Sequence, residues 1–244
     1  MKLRPVILAL REDCDFSREL RTRGFQVLNL PLVKAHSLAD LRDFRELLAS
    51  IERFDGVFIT SPVAASVFVD EIAAAGVNKT PVVYVLGERS RSVLGACGIA
   101  IDFREAPNTA DELLDELDVS RFQGQNVLFV RGDRSLRTIP ERLAGVANVE
   151  EAVVYETVNV EINDGAVLER LESGEIDWLC FFSPSAVESY VKRGLPRDGV
   201  HIATIGDTTA KKAVELGLLV SFVSDRASAT AFAEGLARHI ESFE

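Results

Sequence analysis

One stretch occurs twice in this chain and limits the folds open to it. The first copy reads Asp55-Gly56-Val57-Phe58-Ile59-Thr60-Ser61-Pro62-Val63-Ala64-Ala65. The second reads Asp177-Trp178-Leu179-Cys180-Phe181-Phe182-Ser183-Pro184-Ser185-Ala186-Val187. Each is an apolar run of strand length, then Ser-Pro, then a helical pattern. Proline suits the first helical position, because the N–H it lacks has no partner there. The serine before it can cap the free amides of the first turn. Both copies therefore predict a helix N-terminus aimed at the end of a buried strand, which is where open α/β sheets bind ligands.

The duplication extends beyond these two stretches. Asp55 and Asp177, Ser61 and Ser183, and Pro62 and Pro184 are each 122 residues apart. Gly87 and Gly206, and Gly98 and Gly217, are 119 apart, and Arg11 and Arg131 are 120 apart. Between these landmarks, predicted strands alternate with predicted helices. Strands are expected over 5–10, 25–33, 81–86, 126–130, 149–160 and 202–205, with 34–37 a connector and 136–143 a helix. Such alternation implies a parallel sheet with right-handed crossovers. Each half has about five strands, enough for a flavodoxin-like doubly wound sheet. The repeat leaves two arrangements open. Each lobe is one continuous half, or the opening strand-helix-strand of each half completes the other lobe.

Composition narrows the function classes. An apolar fraction of 47% over 244 residues supports a sizeable core. The net charge of -11 disfavours nucleic acid and anionic membranes as partners, while leaving an anionic small ligand open. The three cysteines, Cys14, Cys97 and Cys180, are odd in number and far apart, and there are three histidines. Neither a disulfide framework nor metal-ligand spacing follows. The N-terminus lacks a long apolar segment and no apolar run reaches the length of a span, so a soluble cytoplasmic protein is expected.

Several predicted strand ends carry polar groups. Ser61 and Ser183 stand at the two helix starts, where they serve either as caps alone or as ligand contacts. Gly206-Asp207-Thr208-Thr209-Ala210 opens another helix, and its free amides, helix dipole and paired hydroxyls suit a carboxylate or phosphate. It matches neither a Walker loop nor Gly-x-Gly-x-x-Gly. Arg131-Gly132-Asp133-Arg134 follows a strand, and arginine pairs bidentately with carboxylates. Tyr155 lies in a strand-like run, where an aromatic side chain commonly packs. Together these groups suit binding, and protonating, an anionic, oxygen-rich molecule.

The same residues resemble the uroporphyrinogen-III synthase family. The resemblance rests on Phe58-Ile59-Thr60-Ser61-Pro62, Val130-Arg131-Gly132, Val154-Tyr155-Glu156-Thr157, Phe181-Phe182-Ser183-Pro184-Ser185-Ala186-Val187 and Ile205-Gly206-Asp207-Thr208-Thr209-Ala210, in that order over nearly the whole chain. Two places depart from the family pattern. Ala9-Leu10-Arg11-Glu12 stands where the first strand often ends in Thr-Arg-Pro, and Val63 stands where a polar residue is common.

The resemblance implies two flavodoxin-like α/β lobes joined by a two-stranded linker, with a cleft between them and hinge motion. Lobe 1 would be 1–34 plus 160–244, lobe 2 would be 38–156, and the linkers would lie near 35–37 and 157–159. It implies a cyclising hydro-lyase without cofactor or metal, which closes hydroxymethylbilane into uroporphyrinogen III with inversion of the last pyrrole. Tyr155 would be the proton donor. Ser61, Ser183, Ser185, Thr208 and Thr209 would contact substrate, and Arg131, Gly132 and Gly206 would line the same site. The expected partner is that small molecule, and the expected state is a monomer. The alternative is a non-catalytic two-lobed binding protein for a tetrapyrrole or another anionic small molecule.

Overall fold

The computed structural model of the chain describes residues 4–105, 107 and 109–242. They form two compact units. Unit 1 takes both ends of the chain, Met1–Lys34 and Val158–Glu244, and unit 2 is Ala35–Thr157.

Elements are numbered along the chain. Unit 1 is built from β1 (Val6–Ala9), α1 (Asp15–Thr22) and β2 (Gln26–Asn29), then α7 (Gly165–Glu172), β9 (Trp178–Phe181), α8 (Pro184–Lys192), β10 (His201–Thr204), α9 (Asp207–Glu215), β11 (Val220–Val223) and α10 (Ala229–Glu241). Its sheet has the order β11-β10-β9-β1-β2, with all pairs parallel. In chain order this is the flavodoxin-like arrangement 2-1-3-4-5.

Unit 2 contains α2 (Arg42–Ala49), β4 (Gly56–Ile59), α3 (Pro62–Ala74), β5 (Val82–Val85), α4 (Glu88–Gly95), β6 (Ile101–Phe103), α5 (Ala110–Leu117), β7 (Asn126–Gly132), α6 (Thr138–Arg142) and β8 (Asn148–Asn159). Its sheet runs β3-β8-β7-β4-β5-β6, where β3 is Val33–Ser37. Its five parallel strands have the order 3-2-1-4-5. Reading unit 1 from β9 gives the same order, with β4 matching β9 and β7 matching β1. The duplicated stretches are thus the central strands of two doubly wound sheets.

The central strands read as unbroken apolar runs because both faces are covered. β4 and β9 are buried at every position. Their side chains alternate between two cores, one on each face of the sheet. In unit 2, Val57 and Ile59 join one core while Phe58 joins the other. In unit 1, Trp178 and Cys180 face one core, and Leu179 and Phe181 the other. Truncating a wholly buried ring such as Phe58 or Phe181 to alanine costs about 3–5 kcal/mol.

The repeated aspartate before each central strand has a definite task. In unit 2 the Asp55 carboxylate accepts the Asn126 amide at 2.9 Å, and the Asp55 amide donates to the Asn126 carbonyl at 2.8 Å. In unit 1 Asp177 makes the same pair of bonds with Val6, at 2.7 and 2.9 Å. Each clamp fixes the start of the neighbouring strand.

Three predicted elements differ. The strand expected over 25–33 ends at Asn29, and Val33 begins a separate strand. Residues 34–37 form a strand, not a connector. Their polar Lys34-Ala35-His36-Ser37 sequence hides this, because β3 is an edge strand with Lys34, His36 and Ser37 exposed. The Leu32 carbonyl accepts from the Val160 amide, and the Leu38 amide donates to the Val154 carbonyl. The helix expected over 136–143 begins only at Thr138, with Leu136 60% exposed. Pro140 fits because it falls within the first turn, where a missing donor has no partner to lose.

Candidate active site

In each sheet the chain reverses its direction of winding at one strand pair, β4 and β7 in unit 2 and β9 and β1 in unit 1. The crevice outside the carboxyl ends of such a pair is the expected ligand site of an open α/β sheet. Ser61, Arg131, Gly132, Ser183 and Ser185 lie at these ends, while Tyr155 lies in the neighbouring β8 and Gly206, Thr208 and Thr209 follow the neighbouring β10.

In unit 2, Ser61 follows β4 and caps α3. Its backbone is extended and its Oγ accepts the Ala64 amide at 3.1 Å. Arg131 and Gly132 end β7. The Arg131 side chain is only 14% exposed and is held by the protein on one side: its Nε donates to Glu151 Oε2 at 2.7 Å, and Nη1 donates to the Gly132 carbonyl at 2.8 Å. Glu151, which sequence reasoning did not single out, holds this guanidinium in place while its other oxygen accepts from Arg137 Nη2 at 2.9 Å, so one carboxylate serves two arginines.

Gly132 pairs with Tyr155 across a register shift in β8. A Cβ on Gly132 would lie 2.2 Å from Tyr155 Cζ and 2.7 Å from its hydroxyl. Glycine is required here because the tyrosine ring covers the backbone. The turn is tied down on both sides. The Gly132 amide donates to Ser135 Oγ at 3.0 Å, and the Asp133 amide donates to the Tyr155 carbonyl at 3.0 Å.

The three tyrosines separate by environment. Burial raises the phenols of Tyr84 and Tyr190 above their ordinary range. The Tyr84 oxygen accepts from Arg121, and the Tyr190 hydroxyl donates to the Pro196 carbonyl. Tyr155 is half-buried within β8 opposite the end of β7, packs on the unit 2 core, and makes no side-chain hydrogen bond among the described residues. It is the tyrosine whose hydroxyl remains available to a ligand.

In unit 1, Ser183 caps α8 by accepting the Ala186 amide at 3.2 Å, and its Oγ lies 3.0 Å from that of Ser185. The structure therefore joins these two hydroxyls. At the end of β10 the helix α9 starts differently. Gly206 holds the N-cap position and no side chain caps the amides. Thr208 and Thr209 fall inside the first turn, so neither is a cap. Thr209 is buried and Thr208 half-buried. Uncapped amides with the helix dipole form an anion-binding arrangement.

Gly206 itself is extended, with φ 173, and a Cβ there would meet only Ala227 at 3.9 Å. The backbone bends here between β10 and α9 without the left-handed conformation that would require glycine. Its repeat counterpart Gly87 does need glycine, since φ is +83.

Among the described residues, no group of three or more His, Cys, Asp or Glu could hold a metal. Cys180 is wholly buried, and desolvation pushes its thiol far up. It is a small core residue. Among the described residues, no helix is long and apolar enough to cross a membrane.

Fold and site define a class: an α/β protein of two duplicated, doubly wound parallel sheets, with hydroxyls and open helix amides at the strand ends. The family described as "Uroporphyrinogen-III synthase HemD" matches residues 15–234. The chain belongs to this uroporphyrinogen-III synthase family.

Similar proteins agree along almost the full length. A uroporphyrinogen-III synthase from Chlorobaculum parvum is 27% identical over 242 residues, covering 94% of this chain and 96% of the relative. The chloroplastic uroporphyrinogen-III synthase of Oryza sativa subsp. japonica is 28% identical over 226 residues, covering 88% and 74%. Among solved structures, a mutant uroporphyrinogen III synthase from Thermus thermophilus superposes with a TM-score of 0.66 at 16% identity, covering 98% of this chain and 99% of that one. The Helicobacter pylori protein gives 0.63 at 17% identity, covering 97% and 99%. At these identities the structures establish the fold.

Proposed function

We propose that this chain is a uroporphyrinogen-III synthase, a cyclising hydro-lyase that converts hydroxymethylbilane to uroporphyrinogen III. The observation that carries the reading is the family match over residues 15–234. The reading is supported by Ser61, Ser183 and the open start of α9, which follow the carboxyl ends of β4, β9 and β10.

The substrate is a linear tetrapyrrole with eight carboxylates and a terminal hydroxymethyl group. Its carboxylates are held by the uncapped amides of α9, supported by Thr208 and Thr209, and by the hydroxyls of Ser61, Ser183 and Ser185. Tyr155 donates a proton to the departing hydroxyl. The C–O bond breaks and water leaves. The electron-poor carbon so formed is attacked by the substituted carbon of the last pyrrole, giving a spiro intermediate. Rearrangement inverts that ring and closes the macrocycle. The proton lost on rearomatisation returns to the phenolate, so the balance is loss of one water. Presenting the correct carbon of the last ring is a matter of positioning.

On this reading the protein works as a cytoplasmic monomer on a small molecule, without nucleic acid or membrane. The -11 charge supports the absence of polyanionic partners.

The deciding experiment supplies freshly made hydroxymethylbilane and resolves the uroporphyrinogen isomers. Isomer III is expected. Isomer I alone, the product of spontaneous closure, would show that the protein does not catalyse this reaction. Thr209→Ala is expected to raise KM, and unchanged kinetics would assign that residue to packing alone.

A further inference from the structure

The duplication sets two arginines at equivalent places, and the protein gives only one of them an ion-pair partner. Arg131 stands two residues after Phe129 at the end of β7, and Arg11 stands two residues after Ala9, beyond the end of β1. β7 and β1 hold the same place in their sheets. Phe129 pairs in register with Glu151, the carboxylate that engages Arg131 at 2.7 Å. Ala9 pairs in register with Asn29. A neutral amide thus occupies the position of the neutralising acid.

Asn29 is also committed elsewhere. Its Oδ1 accepts from Arg21 Nη2 at 2.8 Å, and its Nδ2 donates to Ser17 Oγ at 2.8 Å and to the Arg11 carbonyl at 3.2 Å. The nearby Asp13 is engaged as well, accepting from Arg21 at 2.9 Å. The Arg11 side chain is left with no hydrogen bond or ion pair among the described residues, and its buried Nε has no partner. Its guanidinium carbon lies 4.8 Å from the centroid of the Phe182 ring. Cation–π contact orients the group without using its N–H donors.

Leaving a guanidinium unpaired in a half-buried position is costly, so polar groups in such places are ordinarily satisfied. Arg11 lies at the winding reversal of unit 1, and Phe182 immediately precedes Ser183 at the end of β9. We propose that Arg11 is a substrate-binding residue: stacked on Phe182, it takes a carboxylate of the linear tetrapyrrole at the β1–β9 end of unit 1. The assignment rests on the synthase reading, and it gives unit 1 a charged contact from a guanidinium that no protein acid engages.

The test is steady-state kinetics with hydroxymethylbilane on the wild type, Arg11→Met and Arg11→Lys, with the urea midpoint of each. Loss of a charge-assisted carboxylate contact is expected to raise KM about tenfold or more in Arg11→Met. The product should remain isomer III, with kcat and the urea midpoint kept. Arg11→Lys, which retains the charge but not the planar fork, should fall between. Isomer III from the wild type with an unchanged KM in Arg11→Met overturns the Arg11 assignment alone. So does a lowered midpoint that Lys fails to restore, since it marks a packing role. Isomer I alone from the wild type overturns the synthase reading and this assignment with it.

Discussion

The carboxyl ends of β7 in unit 2 and β1 in unit 1 occupy the same place in two sheets of the same order, and differ in charge. At β7 the arginine is closed into the protein by Glu151, the glycine beside it is covered by Tyr155, and a hydroxyl is left free. At β1 the acid is replaced by Asn29, and a guanidinium is left free on an aromatic face. Duplication preserved the scaffold, including the aspartate clamps and the capping serines, while the available chemistry at its ends diverged. Unit 2 presents a free phenol, and unit 1 presents a cation and open amides.

The sharpest way to break this contrast is Tyr155→Phe. If unit 2 supplies the proton, kcat should fall about a hundredfold or more. KM and the urea midpoint should hold, the reverse of the pattern expected for Arg11→Met. A kcat equal to wild type removes Tyr155 as the donor.

Next in size is stability at the two arginines. Arg131→Met leaves Glu151, itself 21% exposed, without its closest partner, and should cost about 1–3 kcal/mol in urea unfolding. Arg11→Met should cost nothing measurable. Equal losses in the two variants would erase the difference in pairing.

The two glycine-led helix starts give a comparable test. Gly87→Ala forces a side chain into positive φ and should cost about 1–3 kcal/mol. Gly206→Ala keeps an extended backbone and meets Ala227 at an ordinary contact distance, so it should cost nothing and stabilise by up to about 1 kcal/mol. A large loss at Gly206 would mean that the start of α9 tolerates no Cβ.

The smallest effect concerns what the two units share. Ser61→Ala and Ser183→Ala each remove one cap and should cost about 1 kcal/mol apiece, adding in the double variant. Unequal losses would show that one serine does more than cap.

Much of the scaffold was legible because periodicity and repetition report on backbone and burial. The Ser-Pro starts, the buried central strands and the duplicated register all follow from side-chain pattern, and each reappears with the expected geometry. The states of Arg131 and Arg11 were not legible. Whether a guanidinium is paired depends on which residue of a neighbouring strand lies opposite, and the partners are twenty and eighteen positions away. The two signals that bear on it, Glu151 and Asn29, become meaningful only once strand register is known. Gly132 was singled out as a site residue, but its necessity comes from the Tyr155 ring, again a cross-strand fact. The edge strand β3 was missed because its exposed side chains carry no apolar alternation.

The split of unit 1 between the two ends of the chain also has a consequence for how the protein is made. In unit 2 the central pair joins Gly56 to Val127, whereas in unit 1 it joins Ile7 to Trp178. As the chain leaves the ribosome, every strand of unit 2 is present before β9 exists. Meanwhile β1 and β2, with Ile7, Leu8 and Ala9 destined for full burial, have no sheet to enter. Closing the longer loop also carries the larger entropic cost. Unit 2 is therefore expected to fold first, with the amino-terminal segment waiting as an exposed apolar strand that chaperones would have to shield. Pulse-labelled hydrogen exchange during refolding should protect β4 and β7 before β1 and β9; simultaneous protection would mean the two sheets form as one cooperative unit.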